Sequence, residues 1–310
     1  MSGVTKAAHP SPFLTRNQSP FSLIYGLPLA TSAKLLPTGD SRWISSLNIS
    51  NTLNSQSGVD DQLFIDIETW QLNFLYDYSF KENWMFRLQL PFIQHQGGFL
   101  DSLIESYHDT FNLPEDIRPL VDRDLINVIY SQNNQQQINI NSQQQSLGDI
   151  SLQLAWQAYT DEKQSQSYWL SIKLPTGDEN KLTGSGNFDI AAWTSLDYRL
   201  NKTRWLYGQG GLLYMGNSEV LGNIHNNWAL FANAGIKFEP LDKLELKAQF
   251  DIHSALYDSE IEFLDHVLQL TFGGSYHFNN KHQLDFAIAE DLKNAASPDV
   301  NFNISWWIHY

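Results

Sequence analysis

The stretch Trp70-Gln-Leu-Asn-Phe-Leu-Tyr-Asp-Tyr-Ser-Phe80 alternates: even positions carry Trp, Leu, Phe, Tyr, Tyr and Phe, and odd positions carry Gln, Asn, Leu, Asp and Ser. A period of two places the even side chains on one face of a β-strand. After Lys81-Glu82-Asn83 the pattern resumes, with Trp84, Phe86, Leu88, Leu90 and Phe92 on one side and Met85, Arg87 and Gln89 on the other. Two such runs around a short polar turn read as a hairpin.

The same unit recurs to the end of the chain. Alternation is seen in 41–52, 63–80, 150–158, 168–174, 188–200, 228–238, 244–252, 264–278, 284–288 and 300–310. The stretch 204–215, with Gly208, Gly210 and Gly211, follows the turn at 201–203 but has no clear parity. Roughly twelve strands result. Short turns near 81–83, 201–203, 239–243 and 279–281 alternate with longer polar loops at 53–62, 175–187, 216–226, 257–263 and 291–298. The turn at 160–167 is longer but has the parity of the tight turns. The stretch 93–147 forms one very long loop at the opposite end.

Three features separate a membrane barrel from a soluble sandwich or a soluble barrel. Several strands sustain alternation for eleven residues or more, the length a tilted membrane strand needs, whereas soluble strands usually run about five or six. A closed barrel of about twelve strands with an apolar inside would leave a void, so the apolar face must point to lipid. The polar face is mostly Gln, Asn, Ser, Asp and Gly, which suits a lumen better than bulk water. Trp70, Phe80, Trp84, Trp205, Trp228, Phe238, Phe278 and Tyr310 fall at strand ends, where interfacial girdles form. The expectation is an all-β fold, a transmembrane antiparallel β-barrel of about twelve strands with a long extracellular loop containing a short helix.

Composition excludes other classes. With 34 Asp+Glu against 19 Lys+Arg, the chain has a formal charge of -15, which disfavours nucleic acid. Absence of cysteine removes disulfides, thiolate metal sites and a Cys nucleophile. No apolar run approaches the roughly eighteen residues of a helical span.

The C-terminal residues Phe302, Ile304, Trp306, Ile308 and Tyr310 alternate up to a terminal aromatic. They look like the final strand by which bacterial outer-membrane proteins are recognised for insertion. Residues 1–20 contain no apolar core of a signal peptide. The expectation is a mature form whose leader has been removed.

Several strings resemble an uncharacterised proteobacterial family of predicted outer-membrane proteins, known only as a domain of unknown function. They are Arg16-Asn-Gln-Ser-Pro-Phe21, Ile65-Asp-Ile-Glu-Thr69, Gly97-Gly-Phe-Leu-Asp101 with Glu105, His108 and Pro114, and Leu174-Pro-Thr-Gly-Asp178 followed by Thr183-Gly-Ser-Gly186. The Leu-Pro-Thr-Gly-Asp string, present at 36–40 and 174–178, also looks like outer-membrane barrels linked to phenol degradation, which are proposed transporters. The family carries no established activity, so the resemblance transfers no functional residue.

The functional candidates come from parity. Lumen-lining positions are Gln71, Asn73, Asp77, Arg87, Gln89, Lys173, Asp189, Asp197, Glu245, Lys247, Asp251, His253 and Asp285, with Arg199 and Gln249 on the same side. Their mixed signs suggest ion pairs across the lumen and a partly occluded pore. Inward Trp169, Trp193 and Trp307 offer a surface to an apolar or aromatic solute, or merely fill space. In the long loop, Leu103, Ile104, Tyr107 and Phe111 have helical spacing, with Asp101, Glu105 and His108 on the other side and Pro114 as a stop. This short helix is either a plug or lid in the barrel mouth or an outer loop packed on its neighbours.

Acidic clusters at Asp101, Glu105, His108, Asp109 and at Asp258, Glu260, Glu262, Asp265 lack the spacing of a calcium loop, so no metal and no cofactor is assigned. A lipid hydrolase would need a base such as His253 beside Asp251, or His95 or His108. Gly184-Ser185-Gly186 is not a nucleophile elbow, so no catalytic residue is assigned. Gly177 to Gly186 likewise lacks the ending of a phosphate loop.

The sequence therefore reads as a monomeric barrel over 41–310, with 93–147 as the long loop and 1–40 as a periplasmic or lumen segment. It is expected in the bacterial outer membrane, in contact with membrane lipid, lipopolysaccharide and the barrel-insertion machinery. The expected role is a channel or transporter for a small solute of unknown identity, with hydrophobic and aromatic ones in view. A lipid-modifying hydrolase and a non-conducting structural or adhesion barrel are the alternatives.

Overall fold

The structure, a computed structural model, describes residues 9–102, 105–106, 121–292 and 296–310. A helical turn α1 (Pro20–Leu23) precedes the strands β1 (Ser41–Ser57), β2 (Asp61–Lys81) and β3 (Trp84–Gln96). Three short strands follow in the long loop: β4 (Asn127–Gln132), β5 (Gln135–Ile140) and β6 (Gln144–Leu147). The series continues with β7 (Ser151–Thr160), β8 (Gln164–Lys173), β9 (Asp189–Arg199), β10 (Arg204–Met215), β11 (Trp228–Leu241) and β12 (Leu244–His253). It ends with β13 (Val267–His277), β14 (His282–Asp291) and β15 (Val300–His309).

Among the described residues, twelve of these strands pair antiparallel with their neighbours into a closed barrel. The barrel closes where β1 meets β15, in register from Arg42↔His309 to Asn51↔Val300. Closure leaves no sheet edge within the bilayer, which only a helix or a sealed barrel achieves. Phe74, Trp156, Tyr168, Leu170, Ile190, Leu212 and Phe286 are exposed on the outside, forming the apolar face that a lipid environment covers. Short turns sit at one end. At the first of them Asn83 takes φ 65, a left-handed conformation that Asn tolerates better than most residues.

The outer end is built differently. Strand β2 has twenty-one residues, about twice what a tilted membrane strand needs. Its outer half pairs with β4, from Asp61↔Gln132 to Asp66↔Asn127, and β4 pairs in turn with β5. The long loop thus carries a hairpin that sequence reasoning did not find. Of the expected helix over 101–112, residues 100–102 and 105–106 are helical; 103–104, 107–112 and so His108 lie outside the described residues.

Inside β2 the character of the inner face changes along the strand. Gln71, Asn73, Asp77 and Ser79 are buried polar groups, whereas Leu63, Ile65 and Ile67, of the same parity, are buried apolar ones. Above the membrane the barrel is filled by an apolar core. Leu63, Ile65, Val128, Tyr130, Leu182, Leu221, Tyr257 and Phe263 pack there with Phe21, Ile24 and Tyr25.

Strand β10 has odd residues inward, so Trp205 is 1% exposed beside the lumen and is not part of the outer aromatic girdle expected from its place at a strand end. Gly208 and Gly210 face outward, opposite Ala234 and Ala232, leaving the inner side to the large residues. Trp228 (62% exposed) and Tyr310 (63%) do stand outside at strand ends.

Candidate functional site: the lumen and the segment within it

Residues 9–36 run inside the barrel as a hairpin of extended chain, with α1 at the outer tip and both legs returning to the short-turn end. Phe13, Leu14, Thr15, Gln18, Ile24, Tyr25, Leu29 and Ala33 are each 2% exposed or less. At the short-turn end His9 lies against Trp205, ring centroids 4.5 Å apart.

The first leg follows β12 and continues beyond it. Lys247 Nζ donates to Ser11 O at 2.6 Å, Gln249 accepts from Phe13 N at 3.1 Å, Asn17 Nδ2 meets His253 Nε2 at 3.1 Å, and the Tyr257 hydroxyl donates to Phe21 O at 2.9 Å. Each of these partners is separated by 236 positions, so leg and strand rise in step and in the same direction. Thr15 reaches across to Thr271, oxygen to oxygen, at 3.1 Å.

The second leg follows β9 downward. Gly26 N donates to Asp189 Oδ2 at 2.8 Å, Thr31 Oγ1 lies 2.7 Å from Ser195 Oγ, and Ala33 N donates to Asp197 Oδ2 at 3.1 Å. Gln209 and Gln157 hold the same leg from the side. The two legs are clasped by Arg16, whose guanidinium donates to the carbonyls of Leu23 and Tyr25 at 3.2 Å each and to that of Leu27. Two small cavities, of about 10 and 30 Å³, flank this clasp. Each is no larger than a water or two.

The charged lining residues pair along the wall and not across the lumen as their mixed signs suggested. Asp77 lies between Arg42 (2.5 Å) and Arg87 (2.6 Å) on adjacent strands. Lys173 meets Asp149 at 2.5 Å and Asp189 at 3.0 Å. Lys237 meets Glu239 at 2.5 Å and Glu245 at 3.1 Å, and Lys247 meets Asp285 at 3.3 Å. Neighbouring strands are about 4.8 Å apart, within easy reach of these side chains, while the centre of the lumen is filled by the N-terminal hairpin. Each pair satisfies charges that would be costly if buried alone.

Neutral lining residues form bonded bands. Gln71 accepts from Asn73 at 3.0 Å, Gln89 donates to Asn73 at 3.1 Å, and Gln153 donates to Gln89 at 3.3 Å. Asp251 accepts from Gln249 Nε2 at 2.9 Å. Trp169 and Trp193 stack at 5.6 Å with planes 8° apart, and Arg87 sits 5.2 Å above Trp169. Trp193 Nε1 donates to Thr31 Oγ1 at 3.0 Å, which ties this aromatic pair to the hairpin.

The second Leu-Pro-Thr-Gly-Asp string is folded inward at the outer end. Asp149 accepts from Gly177 N at 2.7 Å and from Ser185 N at 3.0 Å, drawing the loop onto itself. A Cβ on Gly177 would stand 2.4 Å from Thr183 O, so the close approach requires glycine. The first copy does something else: Gly39, at φ 92, donates to Ser79 O at 2.8 Å and turns the chain into β1.

Asp101 accepts from Asn51 Nδ2 at 3.0 Å and from Asp124 N at 2.8 Å, and Glu105 pairs with Arg123 at 2.5 Å on the exposed rim. Asn51 has the outward parity of β1, so Asp101 stands at the outer wall, while the residues that fill the lumen are those of 9–36. The sequence left 1–40 open between the periplasm and the lumen because a non-repeating coil shows no period; the signal present was only its low charge, Arg16 and Lys34 alone over 10–36.

Of the histidines considered as bases, the described His253 and His95 are engaged structurally. His253 Nδ1 bonds Ser254 O at 2.8 Å, and His95 bridges Thr69 at 2.9 Å and Leu182 O at 3.1 Å. His225, in the outer loop, packs on Tyr25 with ring centroids 5.4 Å apart and planes tilted 31°, and burial lowers its pKa. Among the described residues no three His, Asp or Glu side chains converge as a metal site.

A family profile described as a protein of unknown function, DUF3187, matches residues 1–309. No curated protein matches the chain. Among solved structures, the COG4313 outer membrane channel from Pseudomonas putida F1 shares 12% identity over 90% of this chain and 98% of that one, with a TM-score of 0.61. The NanC porin shares 8% over 87% and 99%, with a TM-score of 0.47. The P. putida toluene transporter TodX shares 11% over 89% and 91%, with a TM-score of 0.44. The first of these shows a common fold.

Proposed function

The chain belongs to the DUF3187 family of proteins of unknown function, and we propose that it is an outer-membrane channel for small solutes, closed in its resting state by its own N-terminal segment. The observation that carries this reading is the manner in which residues 9–36 are held. They bond to lumen side chains and take no place in the sheet, so they can leave without opening the barrel wall.

An emptied lumen would present paired charges, neutral amides and hydroxyls, and the Trp169–Trp193 stack. Such a lining suits an uncharged solute, and the stacked indoles suit one with a flat face. The fold shared with a bacterial outer-membrane channel supports a bacterial outer-membrane location. The terminal Phe302, Ile304, Trp306, Ile308 and Tyr310 would serve insertion there, in proteobacteria as the resemblance suggests. Residues Pro37 to Asp40 are exposed between the segment and β1, which makes them a place to introduce a protease site. In a planar bilayer, the folded protein cut there and freed of its N-terminal segment conducts in steady steps. A silent trace after removal of the segment overturns the reading.

A further inference from the structure

Three glutamines hold the N-terminal segment by its main chain. Gln249 accepts from Phe13 N at 3.1 Å and donates to Phe13 O at 3.4 Å. Gln209 accepts from Thr31 N at 2.9 Å and donates to Leu29 O at 3.2 Å. Gln157 accepts from Leu35 N at 2.8 Å and donates to Ala33 O at 2.8 Å. In each case the side-chain amide meets one N–H and one C=O of an extended chain, as a neighbouring strand would.

Charged groups repeat the pattern. The amines of Lys247 and Lys173 donate to the carbonyls of Ser11 and Ile24, and the carboxylates of Asp189 and Asp197 accept from Gly26 N and Ala33 N. Main-chain groups are common to every peptide, so contacts of this kind carry little sequence information. The two legs follow β12 and β9 in step, so the spacing of these side chains matches an extended polypeptide of any sequence.

We propose that the lumen is a binding site for extended polypeptide, and that residues 9–36 occupy it as a cis ligand which a peptide of low charge can replace. This deepens the channel reading by naming a substrate class and rests on the segment being able to leave. A solute without repeated amides would leave these glutamines without their present partners, whereas an extended peptide restores them. The low charge follows from the segment itself, which carries only Arg16 and Lys34 over 10–36, and from a wall in which Asp77, Lys173, Lys237 and Lys247 already have ionic partners.

The test uses the full chain, folded and then cut within 37–40, with a dye on the N-terminal fragment. Three unlabelled peptides are added: residues 9–36, the same residues in permuted order with Arg16 alone kept in its place so that its clasp is retained, and the 9–36 peptide N-methylated at Phe13, Thr31 and Leu35. Release of dye gives relative affinity, and block of conductance is read in parallel. The native and permuted peptides are expected within about tenfold of each other, with affinity falling about tenfold for each methyl group. Gln209→Leu with Gln249→Leu should weaken both unmethylated peptides alike.

Displacement by the native order alone, or an N-methylated peptide as effective as its parent, overturns the proposal. Failure of every peptide to displace the fragment, even on warming, overturns it too. The channel reading stands or falls separately, on whether the barrel conducts once the fragment is gone.

Discussion

Replacing Arg16 by Met should open the lumen more often without weakening the barrel wall. The guanidinium makes three hydrogen bonds to carbonyls at Leu23, Tyr25 and Leu27, all within the N-terminal hairpin. Bonds from a charged donor contribute roughly 1.5–3 kcal/mol each, so their gross loss is about 5–9 kcal/mol. Against this, the substitution removes the several kcal/mol that desolvating the cation costs. Met keeps much of the apolar stem contact. A net weakening of about 2–3 kcal/mol remains, which multiplies the undocked population by about 30 to 150.

Single-channel open probability in a planar bilayer measures this ratio. Arg16→Lys should fall between wild type and Arg16→Met, because one ammonium keeps the charge but loses the planar fork that spans three carbonyls. The heat-modifiable migration of the folded barrel should be unchanged in both variants. An unaltered open probability in Arg16→Met, or a loss of folded barrel in proportion to any gain in conductance, would refute the clasp.

Four further outcomes are expected. Asp149→Ala removes the acceptor for Gly177 N and Ser185 N while Asp189 still faces Lys173 at 3.0 Å, so the loss should be about 3 kcal/mol and limited proteolysis should cut within 175–187. Leu170→Arg, on the outer face within a membrane strand, should lower unfolding free energy by roughly 2–4 kcal/mol, and Leu241→Arg at the strand end by at most about 1, as read by urea titration in vesicles. Tyr310→Ala should reduce accumulation in the outer membrane but leave refolding into detergent unchanged, as quantitative blotting and gel migration would show. His225 has a lowered pKa when folded, so its packing on Tyr25 is retained above about pH 6.5 and lost as pH falls below it; open probability should rise on acidification, and less so in His225→Phe.

The barrel was legible because its strands repeat. Trp70 to Phe80 displays the apolar outside and polar inside in eleven residues, and the remaining hairpins copy it. Two departures have a common physical cause, namely that the inside of this barrel is not uniformly polar. Leu63, Ile65 and Ile67 share a parity with Gln71 and Asn73 yet face an apolar core above the membrane, where the outside meets water and the inside is dry. Trp205 ends a strand as a girdle residue would, but it faces inward and packs against His9 with the rings tilted 45°.

The lumen side chains could be picked out by parity; their partners could not. Lys247 and Asp285 are 38 positions apart, and Gln249 and Phe13 are 236 apart. Pairing of β12 and β14 to the two sides of β13 brings the first pair together, and entry of the N-terminal segment into the lumen brings the second. The N-terminal segment has no period to read, since its legs are extended coil whose hydrogen bonds go to side chains from the far end of the chain.

The central claim, that residues 9–36 must leave for solute to pass, is tested most directly by locking them in. The chain contains no cysteine, and Thr31 Oγ1 of the segment lies 2.7 Å from Ser195 Oγ of the adjacent β9 wall. Thr31→Cys with Ser195→Cys, placed in the Arg16→Met background where openings are frequent, sets a disulfide between segment and wall. The account predicts no conductance when oxidised and full recovery of openings on reduction. Equal conductance in the oxidised and reduced states would contradict it.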